Sequence, residues 1–244
     1  MHPRFVGRLG AADAVTIANA ALGFLATAAA LVDVTLAARL ILLGAITDAL
    51  DGIVARRRGS TPAGVYLDSL ADVASFGVAP AVLVVAVVFA DWMPAGDPAA
   101  VGVGVCLPAL FVAMAVTRLG LYTAYDHDAA ETKGVQTTLA ATILAAAVLA
   151  GFTQVWQLVG LVGVLAVLMV STITYPDLHA QDALIMGVVQ ALAILSPGYY
   201  GRIFAFAVLF LAVAYLVFAP RFYWQDHLES SWLSRRSVRN SGVR

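Results

Sequence analysis

Four aspartates carry the chemistry this chain suggests. Asp48 and Asp51 stand three residues apart, Asp68 and Asp72 four apart, so within helices each pair shares one face. No His or Cys lies nearby in the sequence, and an all-oxygen donor set suits hard cations such as Mg²⁺, Mn²⁺ or Ca²⁺. Two divalent ions balance four carboxylates, and two ions about 4 Å apart form a clamp for substitution at phosphorus. The competing reading makes these acids partners of Arg56, Arg57 and Arg58, with Asp68 capping a helix. Three arginines beside solvent, however, do not require acids two turns deeper. Gly52 and Ala55 keep the helix surface thin enough for a ligand to approach. Arg56 continues that face, where its guanidinium fork would match phosphate oxygens. Arg57 and Arg58 read as topological charges, and Gly64 lies in the turn between the two acidic pairs.

The elements holding these acids are apolar. Of 244 residues, 61% are hydrophobic and 12% charged, about half the charged share of a soluble domain, and the mean hydropathy is +0.89. Such a surface must face lipid. The same numbers exclude disorder, the lone Cys106 excludes a disulfide framework, and a net charge of −1 excludes a strongly basic nucleic-acid binder. Apolar runs occupy 14–32, 36–55, 69–90, 100–123, 136–151, 155–173, 183–195 and 201–219, against the ~20 residues that a spanning helix needs. The runs at 136–151 and 183–195 are short. The expected architecture is therefore an all-α transmembrane bundle of six to eight spans, eight being preferred. One domain covers 1–220, and a tail follows at 221–244. The first run is read as a retained span in preference to a signal peptide.

With the N-terminus inside and eight crossings, twelve basic residues gather at the inner ends, among them Arg4, Arg8, Arg56, Arg118, Lys133 and Arg221. Only Arg39 and Arg202 fall outside. This positive-inside bias puts both termini in the cytoplasm. Both acidic pairs then converge just beneath the cytoplasmic surface of the cell membrane.

The string Asp48-Ala-Leu-Asp51-Gly52-Ile-Val-Ala55-Arg56, seven residues, Gly64, three residues, Asp68, three residues, Asp72 resembles the signature of the CDP-alcohol phosphotransferases. Leu67 to Pro80, Thr16-Ile-Ala-Asn19, Arg118-Leu119, Lys133 to Thr138 and Ser171 to Pro176 are similar to the phosphatidylserine synthase branch, most of all to its archaeal, ether-lipid members. Departures stand at Gln136, where the branch tends to have Pro, and after Leu119. The resemblance implies transfer of a lipid phosphate from a CDP-activated lipid to an alcohol, with release of CMP, by a homodimer. It implies metal binding by Asp48, Asp51 and Asp68, with Asp72 both completing the metal site and serving as general base. Gly52, Ala55, Arg56 and Gly64 would face the CDP group.

Thr16 and Asn19, three apart on the first span, either reach the nucleotide or bond between helices. The loop from Tyr125 to Lys133 holds Asp126, Asp128 and Glu131 against one lysine, which disfavours an anionic acceptor and suits serine, with Arg118 or Lys133 holding its carboxylate. His127 in that loop reads as solvated. Glycerol phosphate and inositol phosphate remain alternative acceptors. Two other classes compete: a cation-coupled transporter, whose acids would sit near the midplane at broken helices, and a non-catalytic binder of CDP-lipid.

Overall fold

The computed structural model describes residues 7–59, 61–126, 131–176 and 180–241. Its helices are α1 (Ala11–Ala30), α2 (Val34–Arg58), α3 (Gly64–Asp72), α4 (Ala79–Asp91), α5 (Pro98–Leu121), α6 (Thr137–Ala150), α7 (Val155–Met169), α8 (Ala180–Leu195) and α9 (Gly198–Ser241). A π-helical turn, Val73–Val78, joins α3 to α4, and a second, Tyr122–Asp126, extends α5. Because the first π turn breaks nothing, Gly64–Asp91 is one continuous helix. The eight apolar runs thus correspond to eight helical stretches among the described residues. The polar breaks between runs are helix caps. Asp33 accepts from the N–H groups of Thr35 and Leu36, and Asp97 from those of Ala99 and Ala100, satisfying orphan donors at the helix starts.

Among the described residues four helical stretches, Ala11–Ala30, Gly64–Asp91, Pro98–Tyr125 and Gly198–Arg221, are long and apolar enough to cross a membrane. The other apolar helices, Thr137–Ala150, Val155–Met169 and Ala183–Leu195, are shorter. Large apolar side chains face outward, with Phe24, Leu31 and Phe210 each at least 70% exposed, as a lipid-facing surface requires. Helix α9 runs on through Pro220 to Ser241, so the backbone from 221 to 241 continues the last apolar helix.

Three features depart from the expectation. The third helix begins at Gly64, five residues before the apolar run, so Asp68 lies within it and does not cap it; the cap position is Ala63, which makes no side-chain bond. The short run at 136–151 forms the most enclosed helix. Every residue of α6 except Thr138 is buried, and its alanines let neighbouring helices approach closely. Two three-residue strands also form, β1 (Glu131–Lys133) and β2 (Thr174–Pro176), paired antiparallel with Thr132 opposite Tyr175. They were hidden because each is too short for an alternating pattern to register.

Helices α1 and α2 pack as an antiparallel pair, and α1 also rests on the π turn. There Ser75 donates its hydroxyl to the Asn19 carbonyl at 2.7 Å. A Cβ on Gly23 would lie 2.7 Å from the Ser75 backbone, a separation only hydrogen permits. Gly23→Ala should therefore cost roughly 1–3 kcal/mol in thermal unfolding of the detergent-solubilised protein. Gly160→Ala, where a Cβ meets nothing within 4 Å, should stay within about 0.5 kcal/mol of the parent.

Candidate active site

Three of the four aspartates converge. The 3.6-residue period puts Asp68 and Asp72 on one face of α3, and this face turns toward Asp48 on α2. One carboxylate oxygen from each of Asp48, Asp68 and Asp72 lies within 4.8 Å of the others. Asp72 is buried, and its Oδ1 has no hydrogen-bond partner among the described residues. A buried carboxylate oxygen with no donor, beside two more carboxylates, is a costly arrangement for a structural site. It is the donor set a hard divalent cation takes, so these residues fit such an ion.

Asp51, one turn beyond Asp48, stands outside this group of three. It is buried, and its Oδ2 accepts the Thr16 hydroxyl at 2.8 Å. Thr16 thus bonds between helices. Asn19 is fully buried; its amide atoms have no hydrogen-bond partner among the described residues, and a Cβ on Gly44 would come within 3.1 Å of its Oδ1.

The acids open onto a cavity of about 190 Å³ lined by Asp48, Asp68, Ser69, Asp72, Arg118, Leu119, Tyr122, Thr132, Gln136, Thr137 and Thr138. Arg118, near the end of α5, is only 7% exposed. Its guanidinium carbon lies 5.7 Å from the centre of the Tyr122 ring, a cation–π distance, and its positive charge bears on Asp72. Thr138 reaches Asp48 Oδ2 at 3.3 Å, and the Ser69 and Thr123 hydroxyls meet at 2.5 Å.

The remaining sequence candidates lie off this cavity. Lys133 is exposed on β1, while its neighbour Thr132 is buried and lines the cavity, as strand alternation dictates. Gly52, Ala55 and Gly64 are half-buried. Arg56 is exposed, with its guanidinium folded back to within 3.4 Å of where a Gly52 Cβ would stand. His127 lies outside the described residues.

The hydroxyl-bearing wall of Thr132, Thr137 and Thr138 was not singled out from sequence. The available signal was the pair of strings Lys133–Thr138 and Ser171–Pro176 themselves, which the structure brings together as the β ribbon and the start of α6. Gly134 makes the turn between them. It has φ +73°, and a Cβ there would collide with the Met169 carbonyl, so no other residue fits. Tyr175 ties the ribbon to α9 through its hydroxyl, which donates to the Leu216 carbonyl at 3.3 Å. Asp13 was also unforeseen. Buried near the start of α1, it accepts from the Gly10 N–H at 2.7 Å and the Thr61 hydroxyl at 2.8 Å, pinning the α2–α3 turn.

Residues 9–175 match the model of the CDP-alcohol phosphatidyltransferase family. The chain is 30% identical over 179 residues to the archaetidylserine synthase of Methanothermobacter thermautotrophicus, covering 70% of this chain and 71% of that one. Over 45 residues it is 58% identical to the CDP-diacylglycerol–serine O-phosphatidyltransferase of Methanocaldococcus jannaschii, covering 18% of this chain and 22% of the relative.

The acidic cluster makes a two-part prediction for Asp48→Asn. Removing one of three mutually repelling charges should raise the melting temperature of the metal-free protein. The same change should abolish stabilisation by Mn²⁺, which in the parent should reach about 2.7 kcal/mol at a hundred times the dissociation constant. Differential scanning fluorimetry with and without chelator reads both.

Proposed function

This chain belongs to the CDP-alcohol phosphatidyltransferase family, and on that premise we propose that it transfers the lipid phosphate of a CDP-activated lipid to the hydroxyl of serine, releasing CMP. It is a membrane transferase of phospholipid synthesis. The observation that carries the reading is the polar cavity lined by three carboxylates and a buried arginine. The serine acceptor draws support from the two relatives, both named for serine transfer, and the ether-lipid donor from the archaetidylserine synthase among them.

The chemistry is substitution at the lipid-side phosphorus. The serine oxygen forms a new P–O bond, the bond to the CMP phosphate breaks, and the hydroxyl proton must leave. Asp72 takes that proton. Arg118, buried beside the Tyr122 ring, holds the acceptor's carboxylate. The hydroxyls of Thr132 and Thr137 offer hydrogen bonds to a small polar acceptor. Asp48, Asp68 and Asp72, with Asp51 alongside, would hold divalent cations, two by charge balance and either Mg²⁺ or Mn²⁺, and bound there these supply charge neutralisation for the diphosphate and the leaving phosphate. Arg56 and the thin surface at Gly52, Ala55 and Gly64 face the CDP group, outside the acceptor cavity. Both termini and the site face the cytoplasm across eight spans, a reading supported by the basic residues at the inner ends. The enzyme works as a homodimer.

Purified protein given CDP-archaeol or CDP-diacylglycerol with Mn²⁺ should release CMP when serine is added, faster than with glycerol phosphate or inositol phosphate. Release with another acceptor but none with serine would overturn the assignment. Asp72→Asn should lower kcat by about 10²–10⁴-fold while CDP-lipid still binds. Arg118→Gln should raise the KM for serine at least about tenfold, the equivalent of one charge-assisted hydrogen bond.

A further inference from the structure

We infer that Thr16 is a positioning residue for Asp51, its hydroxyl fixing one carboxylate oxygen so that the other stays available to a divalent cation. The inference rests on the divalent-cation reading above and concerns the one signature acid that stands apart from the cluster.

Thr16 is 6% exposed, and its hydroxyl lies 2.8 Å from Asp51 Oδ2 and 3.1 Å from the Ala12 carbonyl. A hydroxyl has one proton to donate. The Ala12 carbonyl, four residues back, is the ordinary fallback for a threonine within a helix, whereas the carboxylate is the closer and charged acceptor. Committing the proton to Asp51 leaves Thr16 with no donor for a nucleotide. Threonine also suits the task because its branched Cβ restricts χ1 within a helix, so the donor stands still. Asp51, left alone, would have several staggered rotamers to sample.

The helix carrying the donor is itself anchored. Asp13, three residues before Thr16 on α1, binds the Gly10 N–H and the Thr61 hydroxyl through one buried oxygen. Helix α1 is thereby tied to the far end of the α2–α3 turn as well as to Asp51. On the opposite flank Thr138 of α6 serves Asp48 at the longer distance of 3.3 Å. Hydroxyls from two helices thus hold the two acids of α2, and partners of metal-ligating carboxylates typically influence metal affinity by 10–100-fold.

Mn²⁺ binding, measured by electron paramagnetic resonance on the detergent-solubilised full chain without substrate, tests this directly. Thr16→Val should weaken binding by about 10–100-fold, and Thr16→Ser should restore it. The effect of Thr16→Val should vanish in an Asp51→Asn background, because the threonine acts only through that carboxylate. Thr16→Ala gives the same comparison if the valine variant does not fold. Equal Mn²⁺ affinity in parent and Thr16→Val or Thr16→Ala, or a loss that persists beside Asp51→Asn, overturns the positioning role while leaving the cation reading intact. A parent protein that binds no Mn²⁺ defeats the cation reading itself, and this inference with it.

Discussion

Mutual repulsion among carboxylates held together beside an apolar phase is the constraint on which the rest of this structure depends. A single charged aspartate within a membrane costs a few kcal/mol even on lenient scales. Here three present oxygens within 4.8 Å of one another, and a fourth lies one helical turn along. Left to themselves such groups would drive α2 and α3 apart. The fold holds them in register by a short connection, by the packing of α1 and α6 on either side of α2, and by placing the positive charge of Arg118 in the same cavity.

The surroundings divide the work among neighbours. On one flank, α1 gives a hydroxyl to Asp51 and binds the α2–α3 turn through Asp13. On the other, α6 gives a hydroxyl to Asp48, and its start, with the β ribbon, builds the polar wall of the cavity. That wall needs a backbone able to leave the ribbon and enter α6 directly over the end of α7, and Gly134 is what permits it. The π turn after Asp72 has a comparable effect: it lets α1 close to backbone contact at Gly23 without interrupting the helix that carries two of the acids.

Much of this was legible in the sequence, for identifiable reasons. Helical positions followed from apolar runs, because length and hydropathy are local properties. The pairing of Asp68 with Asp72 followed from their spacing of four, which fixes a shared face. Arg118 and Lys133 looked equivalent as basic residues near an acidic loop. The structure separates them, because Lys133 falls on the outward side of a strand and its neighbour Thr132 on the inward side. The enclosure of α6 was not legible, since an alanine-rich run of 14 residues reads the same at the rim of a bundle as at its centre.

The sequence by itself determined an apolar helical chain with four acids on two helix faces, because periodicity and composition are carried by near neighbours along the chain. Only the tertiary structure decided which acids meet. It brought Asp48 to Asp68 and Asp72, and turned Asp51 to Thr16. It also paired two distant strings into the ribbon that closes the cavity. Those outcomes rest on contacts between residues 20 to 45 positions apart, whose geometry is set by how helices pack and not by any local pattern.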